Sequence, residues 1–517
     1  MNKITTLFFC AMLLACHGMA QVPLKTVGRS PLFITDSLDQ YIERGMQMWR
    51  VPGMAVAIIK NGKIVYMKGH GRRWEWGREK VDENTLFMIG SCTKAFTSTA
   101  LAMLQHENKL KLDDKVTRWM PQFKLYDAAA TEQVTIRDLL CHRLGLETFQ
   151  GDFTHWDSNL SKTEIMGLLA KHRPKYPFRT TWGYCNAGYL TAGELIPTIT
   201  GKSWDDFIQE RLLIPLNMKR TFTHCDSIIK NANAAFGHTI QESRLDSLNY
   251  PQIDNFGSAA SMSASISDMS RWVTMLLDSG RLEGKQIVPN AVLQETWQPQ
   301  TIMNKKKNKF VNQNYQLYGL GWVMEDYNGK EMISHTGGVD GFLTSVVLVP
   351  SEKLGIVVLT NQDNQNLFHL LKNEITDYYM GLPFRDYNYL QYDKYAIAEK
   401  ATTDAIMKER LKCAAAMKTQ QPSALKFEDY TGVYTHDIYG EVTIRRVNDR
   451  LKMYFSKHPN LIGHLESQGN HQFLCFYSNK ILGIHSIPFQ MTNGKITGFT
   501  LKVNDFVETE PYQFTKK

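Results

Sequence analysis

Beyond its N-terminus this 517-residue chain has no apolar run approaching the ~20 residues a membrane-spanning helix requires. It has no CxxC pair and no cysteine–histidine cluster at zinc-ligand spacing. Eight cysteines in so long a chain do not make a disulfide scaffold. Cys92, Cys141, Cys185, Cys225, Cys413 and Cys475 are therefore expected as isolated buried thiols. A basic stripe interleaved with aromatics is also missing, which argues against a nucleic-acid partner. The net charge of +8 is spread thinly. Its one dense run, Lys305, Lys306, Lys307 and Lys309, reads as a solvated loop, with a steering patch for anions as the alternative. Internal repeats and low-complexity tracts are absent too. What is there, 43% hydrophobic and 21% charged residues, suits a globular protein of two or three domains whose core needs no covalent staples.

Residues 1–20 have the pattern of a secretory signal. Lys3 is the positive start, the apolar run from Ile4 to Ala15 is too short to span a bilayer, and Gly18-Met19-Ala20 offers small residues for cleavage before Gln21. Leu13-Leu14-Ala15-Cys16 resembles a lipobox, which makes Cys16 the candidate lipid anchor in a second reading. Either way the protein is expected outside the cytoplasm, in the periplasm or cell envelope.

Met54 to Ile59 reads as a strand, Asn61-Gly62 as a two-residue hairpin turn, and Ile64 to Met67 as the returning strand. Late in the chain, Leu343 to Val349 and Ile356 to Thr360 form a second hairpin around Pro350 to Gly355. Between them lie helical patterns, among them Ala95 to Glu107, Trp204 to Leu213 and Met269 to Leu277, the last with Ser267 as its expected N-cap. The expected fold is an α/β (α+β) domain at 21–383, an antiparallel sheet flanked by helices with a helical subdomain. A Tyr-rich connection at 384–425 holds Tyr387, Tyr389, Tyr392 and Tyr395. From 426 to 517, alternating strands with turns at Tyr439-Gly440, Asn448-Asp449 and Asn493-Gly494 predict a small all-β barrel or sandwich.

Three motifs carry chemistry. In Ser91-Cys92-Thr93-Lys94, residues three apart on a helix share a face, so an amine lies beside a hydroxyl. A neutral Lys94 there can take the Ser91 proton and make a nucleophile. In Tyr184-Cys185-Asn186 a phenol can shuttle protons and an amide can orient a substrate carbonyl. In His335-Thr336-Gly337-Gly338 a glycine-bearing strand edge lets a substrate approach closely, and its N–H groups can donate to an oxyanion. Single motifs recur by chance, as Ser227-Ile228-Ile229-Lys230 and Tyr477-Ser478-Asn479 demonstrate.

Together and in this order, the motifs resemble the S-x-x-K, Y-x-N and K/H-x-G elements of the serine β-lactamase and penicillin-binding-protein superfamily, most closely its class C-like branch of hydrolases. The surrounding segments add to this: Thr135-Ile136-Arg137-Asp138-Leu139-Leu140-Cys141-His142, Pro215-Leu216-Asn217-Met218 and Gly319-Leu320-Gly321-Trp322. The resemblance covers about residues 35–380, and Glu428 to Tyr434 resembles the opening strand of the lipocalin-like β-domain that some members carry.

The resemblance implies an acyl-enzyme on Ser91, with Lys94 as its base and Tyr184 assisting proton transfer to the leaving group. Asn186 would hold Lys94 or the substrate, and the N–H groups of Ser91 and Gly338 would form the oxyanion hole, with Gly337 beside them. His335 stands where many relatives carry Lys. A neutral imidazole there weakens recognition of a substrate carboxylate. Trp182 lines the acyl pocket or belongs to the core, and His142 is expected to satisfy backbone. Cys92 and Cys185 are expected as buried thiols, with a disulfide between them as the alternative. No metal and no cofactor are implied. The expected partner is a small-molecule ester or amide, cleaved by hydrolysis. Acyl transfer to a hydroxyl of an apolar acceptor is the second function considered, and a non-catalytic cell-envelope ligand sensor the third.

Overall fold

A computed structural model describes residues 32–306, 310–419 and 425–517, without the side chains of 417–419. The expected signal at 1–20 with Cys16, as well as Lys307, Lys309 and residues 420–423, lie outside the described residues.

Both expected hairpins form, and they meet. Strand Gly53–Lys60 pairs antiparallel with Leu354–Thr360, from Met54 opposite Thr360 to Lys60 opposite Leu354. The full sheet has eight strands, in the spatial order Thr301–Lys305, Tyr315–Tyr318, Val323–Tyr327, Lys330–Val339, Phe342–Val349, Leu354–Thr360, Gly53–Lys60 and Lys63–Gly71. Asn61 and Gly62 turn the first hairpin at φ +54° and +73°, the left-handed pair such a turn requires.

The central strands read as unbroken apolar runs because helices cover both faces. Successive side chains of Gly53–Lys60 point alternately into two cores. Ala55, Ala57 and Ile59 join the core shared with helices Thr93–His106 and Ile266–Leu277, where Phe96 stacks on Trp272 at 4.1 Å. Met54, Val56 and Ile58 join the core under helices Leu38–Trp49 and Leu367–Tyr379.

Two expectations are corrected in detail. Helix Ile266–Leu277 is capped by Ser265, whose side chain accepts the Asp268 N–H, and not by Ser267, which sits inside the first turn and bonds Ser265. The Trp204 to Leu213 helix relaxes after Ile208 into a wider turn over Gln209–Leu213.

The Tyr-rich connection is a helix, Tyr387–Thr419, 33 residues long. Its first turns pack on the core of the first domain, with Tyr392 and Tyr395 5.5 and 4.7 Å from Trp49. Its later turns lie along the C-terminal body, where the Arg410 guanidinium covers the Phe476 ring at 4.5 Å.

That body is a closed barrel of eight antiparallel strands running from Gly432–His436 to Tyr512–Lys516. The first and last strands pair at Tyr434 with Lys516 and Thr435 with Thr515, which removes the sheet edges. Asn448 and Asn493-Gly494 turn at positive φ where the sequence placed them. One end of the barrel is stoppered from outside. Phe153, on the short helix Asp152–His155 of the first domain, stacks on Tyr439 at 5.2 Å and on His458 at 4.9 Å.

Candidate active site

Ser91 sits in a tight turn, Gly90–Cys92, that runs directly into helix Thr93–His106. Lys94 follows one turn on and is wholly buried. Its Nζ donates to Ser91 Oγ at 3.2 Å, Asn186 Oδ1 at 2.7 Å and the Ala259 carbonyl at 3.0 Å. It also lies 4.6 Å from the centre of the Tyr184 ring. Burial pulls the Lys94 ammonium down to about 7, against the opposing pull of Asp152. The amine is thus poised between its two protonation states near neutral pH.

The Tyr184 phenol is pushed well above its ordinary value by burial, so at neutral pH it keeps its proton. Its hydroxyl lies beside the Ser91 hydroxyl.

Why Tyr184 stands there follows from the Thr135–His142 segment. Thr135 and Asp138 close a reciprocal capping box on the short helix Ile136–Leu140. Asp138, fully buried, is also held by Arg143 and Arg179. The chain then turns at His142, φ +58°. His142 Nδ1 accepts the Cys185 N–H at 3.0 Å, and its ring lies 4.2 Å from that of Tyr184. His142 satisfies backbone, as expected, and in doing so orients the Tyr184–Asn186 segment. Trp182 belongs to the same aromatic cluster, 6.0 Å from Tyr184 and 6.1 Å from Tyr318.

The Lys330–Val339 strand supplies the opposite wall. Its pairing with Val323–Tyr327 ends at Ser334, while its other edge stays paired through Val339. From His335 onward one edge is left free to meet the Ser91 turn. The approach is close enough to demand glycine on both sides. A Cβ on Gly337 would lie 1.8 Å from the Ile89 carbonyl oxygen, and one on Gly90, at φ +50°, 2.9 Å from Gly338 N.

His335 does not face the cleft as a free ligand. It is buried, its Nδ1–H donates to the Thr336 carbonyl at 2.6 Å, and its Nε2 accepts from the Tyr318 hydroxyl at 3.0 Å. Burial and the nearby Lys94 push it down to about 3, so it is neutral. Both of its nitrogens thus have protein partners, one holding the strand and one Tyr318. Cys92 and Cys185 are free, buried thiols, and Cys185 caps helix Asn186–Thr200 through the Gly188 N–H. The chance motifs fall elsewhere. Lys230 is exposed and paired with Asp226, and Tyr477 donates to the Lys502 carbonyl inside the barrel.

Sequence reading missed three contributors. Asp152, buried at the start of the short helix Asp152–His155 and without a motif, accepts from Asn186 Nδ2 at 2.5 Å and so fixes which end of that amide faces Lys94. From the barrel, Glu508 accepts the N–H groups of Gly151 at 2.7 Å and Phe153 at 3.1 Å, one on each side of Asp152. Also from the barrel, the Phe506 ring lies 3.2 Å from where a Cβ on Gly338 would stand. Among the described residues no group of three or more His, Cys, Asp or Glu is placed to hold a metal ion.

An antiparallel sheet with a helical insertion, a Ser-x-x-Lys turn and a Tyr-x-Asn segment converging on a free strand edge is the plan of the serine β-lactamases and penicillin-binding proteins. The chain belongs to the beta-lactamase family, whose model matches residues 38–377. Residues 416–516 match a second family, described as a domain of unknown function (DUF3471). Among curated proteins the chain is similar to the unguisins hydrolase ungD' of Aspergillus campestris, at 27% identity over 81% of this chain and 80% of the other. It is also similar to Protein flp of Staphylococcus aureus, at 28% identity over 65% of each chain. Among solved structures, the octameric penicillin-binding protein homologue from Pyrococcus abyssi aligns over 93% of this chain and 99% of its own, with TM-score 0.57 and 20% identity. A D-stereospecific amidohydrolase from Streptomyces aligns over 63% and 94%, with TM-score 0.51 and 20% identity. The last two show likeness of fold.

Proposed function

We propose that this protein is a serine hydrolase that cleaves a small-molecule ester or amide through an acyl-enzyme on Ser91. One observation carries the reading: an amine held 3.2 Å from the Ser91 hydroxyl and brought by burial to about 7. Neutral Lys94 takes the Ser91 proton as Oγ bonds to the substrate carbonyl carbon. The oxygen that becomes negative is met by the N–H groups of Ser91, in the turn, and Gly338, on the strand edge beside it. Collapse breaks the bond to the leaving group, which takes the Tyr184 proton, and Lys94 returns its proton to Tyr184. Water then repeats the sequence on the acyl-enzyme, releasing the acid and restoring Ser91.

Hydrolysis is preferred to acyl transfer because the first curated relative is named a hydrolase. The intact cage around Ser91 speaks against a purely non-catalytic sensor. A fluorophosphonate probe is expected to label Ser91 in the wild type and not in Ser91→Ala. Labelling at another residue, or none in the wild type, sinks the assignment. We propose further that the protein acts outside the cytoplasm, on the strength of the 1–20 pattern; N-terminal sequencing of the mature protein from fractionated cells tests this.

A further inference from the structure

The barrel is not merely appended to the first domain. Its 502–509 loop reaches the strand edge beside Ser91, and several contacts hold it there. Asn504 Oδ1 accepts the Phe506 N–H at 3.0 Å, and the Asn504 carbonyl accepts the N–H groups of Val507 at 2.9 Å and Glu508 at 3.1 Å. Glu508, nearly fully buried, bonds the backbone on both sides of Asp152 and takes a third hydrogen bond from Tyr512 at 2.7 Å. Between these two anchors stands Phe506, half-buried. Its ring packs edge-on against Trp156 at 6.4 Å. Trp156 is itself fixed, because its indole N–H donates to Asp340 Oδ1 at 2.8 Å and its carbonyl meets His458 of the barrel at 3.0 Å. Leu343 Cδ2 completes the enclosure, 3.4 Å from the same Cβ position on Gly338 that Phe506 approaches to 3.2 Å.

A ring whose backbone is anchored on both sides and which is backed by a hydrogen-bonded indole is held against the strand edge beside Ser91. It therefore limits what fits along the strand edge at Gly338. We propose that Phe506 is a specificity-determining residue: together with Trp156 and Leu343 it forms an apolar wall, supplied in part by the barrel, that limits the size of the substrate acyl group. The expected substrates carry a compact acyl group. This inference rests on the Ser91 acyl-enzyme reading and adds to it the class of acyl group that the site takes.

The test compares p-nitrophenyl acetate with p-nitrophenyl phenylacetate on the full-length wild type, Phe506→Ala and Phe506→Trp. Fluorophosphonate labelling of wild-type Ser91 is checked first, and thermal melting confirms that each variant is folded. The ratio of kcat/KM for phenylacetate to that for acetate is expected to rise about tenfold in Phe506→Ala and to fall about tenfold in Phe506→Trp. A wild type that labels at Ser91, with a ratio unchanged in either variant or moved the other way, overturns the wall while leaving the hydrolase reading intact. A wild type that does not label removes both.

Discussion

Replacing Asp152 by asparagine offers a sharp test of the cage, because it is expected to make the enzyme more active in acid. Asp152 does not touch Lys94. The Asn186 amide stands between them, 2.5 Å from the carboxylate and 2.7 Å from the amine. The two charges are thus roughly 6 Å apart, and at an effective dielectric of ~20 they attract by about 2–3 kcal/mol. That attraction favours the ammonium, so Asp152 holds Lys94 above where burial alone would leave it. Acylation needs the neutral amine. In the wild type its rate should therefore fall about tenfold per pH unit below a limb near 7. The Asp152→Asn variant keeps an acceptor for the Asn186 amide and removes the charge. The limb is then expected to move down by about one to two pH units, since ~1.4 kcal/mol corresponds to one unit. Stopped-flow acylation by a p-nitrophenyl ester between pH 4.5 and 9 reads the limb directly. Because the limb is judged separately from the plateau, an overall loss of rate does not obscure it. A limb that stays in place, or moves upward, refutes the assignment of Lys94 as the group that titrates.

Two further outcomes are expected. Tyr184→Phe removes the proton donor for the leaving group, so hydrolysis of an amide should slow by about 10²-fold or more. Acylation by a p-nitrophenyl ester, whose leaving group departs as an anion, should be little affected when followed as the pre-steady-state phase; equal losses of the acylation rate on both substrates would argue against the role. Glu508→Gln places an NH2 where a carboxylate oxygen now accepts a backbone N–H and a phenol. The change should lower stability by about 1–3 kcal/mol in urea unfolding, and an unchanged midpoint would mean that the barrel is not seated through this residue.

Much of this fold was legible in the chain because its elements are locally consistent. The Asn61-Gly62 turn, the apolar runs at 54–59 and 343–349 and the helix after Ser91 each signal one structure at short range. Ser91, Lys94, Tyr184 and Asn186 were legible because each sits at a fixed offset within its own motif. Side-chain direction was not. His335 occupies its motif position yet turns inward to Tyr318, a choice made by an aromatic cluster assembled from four separate segments. Asp152 and Glu508 left no trace, since a buried carboxylate that satisfies distant backbone has no local pattern around it. The N-cap at Ser265 rather than Ser267 is a two-residue error of the kind helix ends produce, because either serine could begin the same apolar periodicity.

The stoppering of the barrel by Phe153, with Glu508 gripping the same short helix, has a consequence for biogenesis. Ribosomes make Ser91 and Lys94 long before Glu508. Until the barrel strands emerge and close, the helix that bears Asp152 lacks the contacts from Glu508, and the amide that steadies Lys94 lacks that support. A chain that lacked the barrel would carry every motif of the first domain and still be without the contacts that seat Asp152 beside the amide holding Lys94.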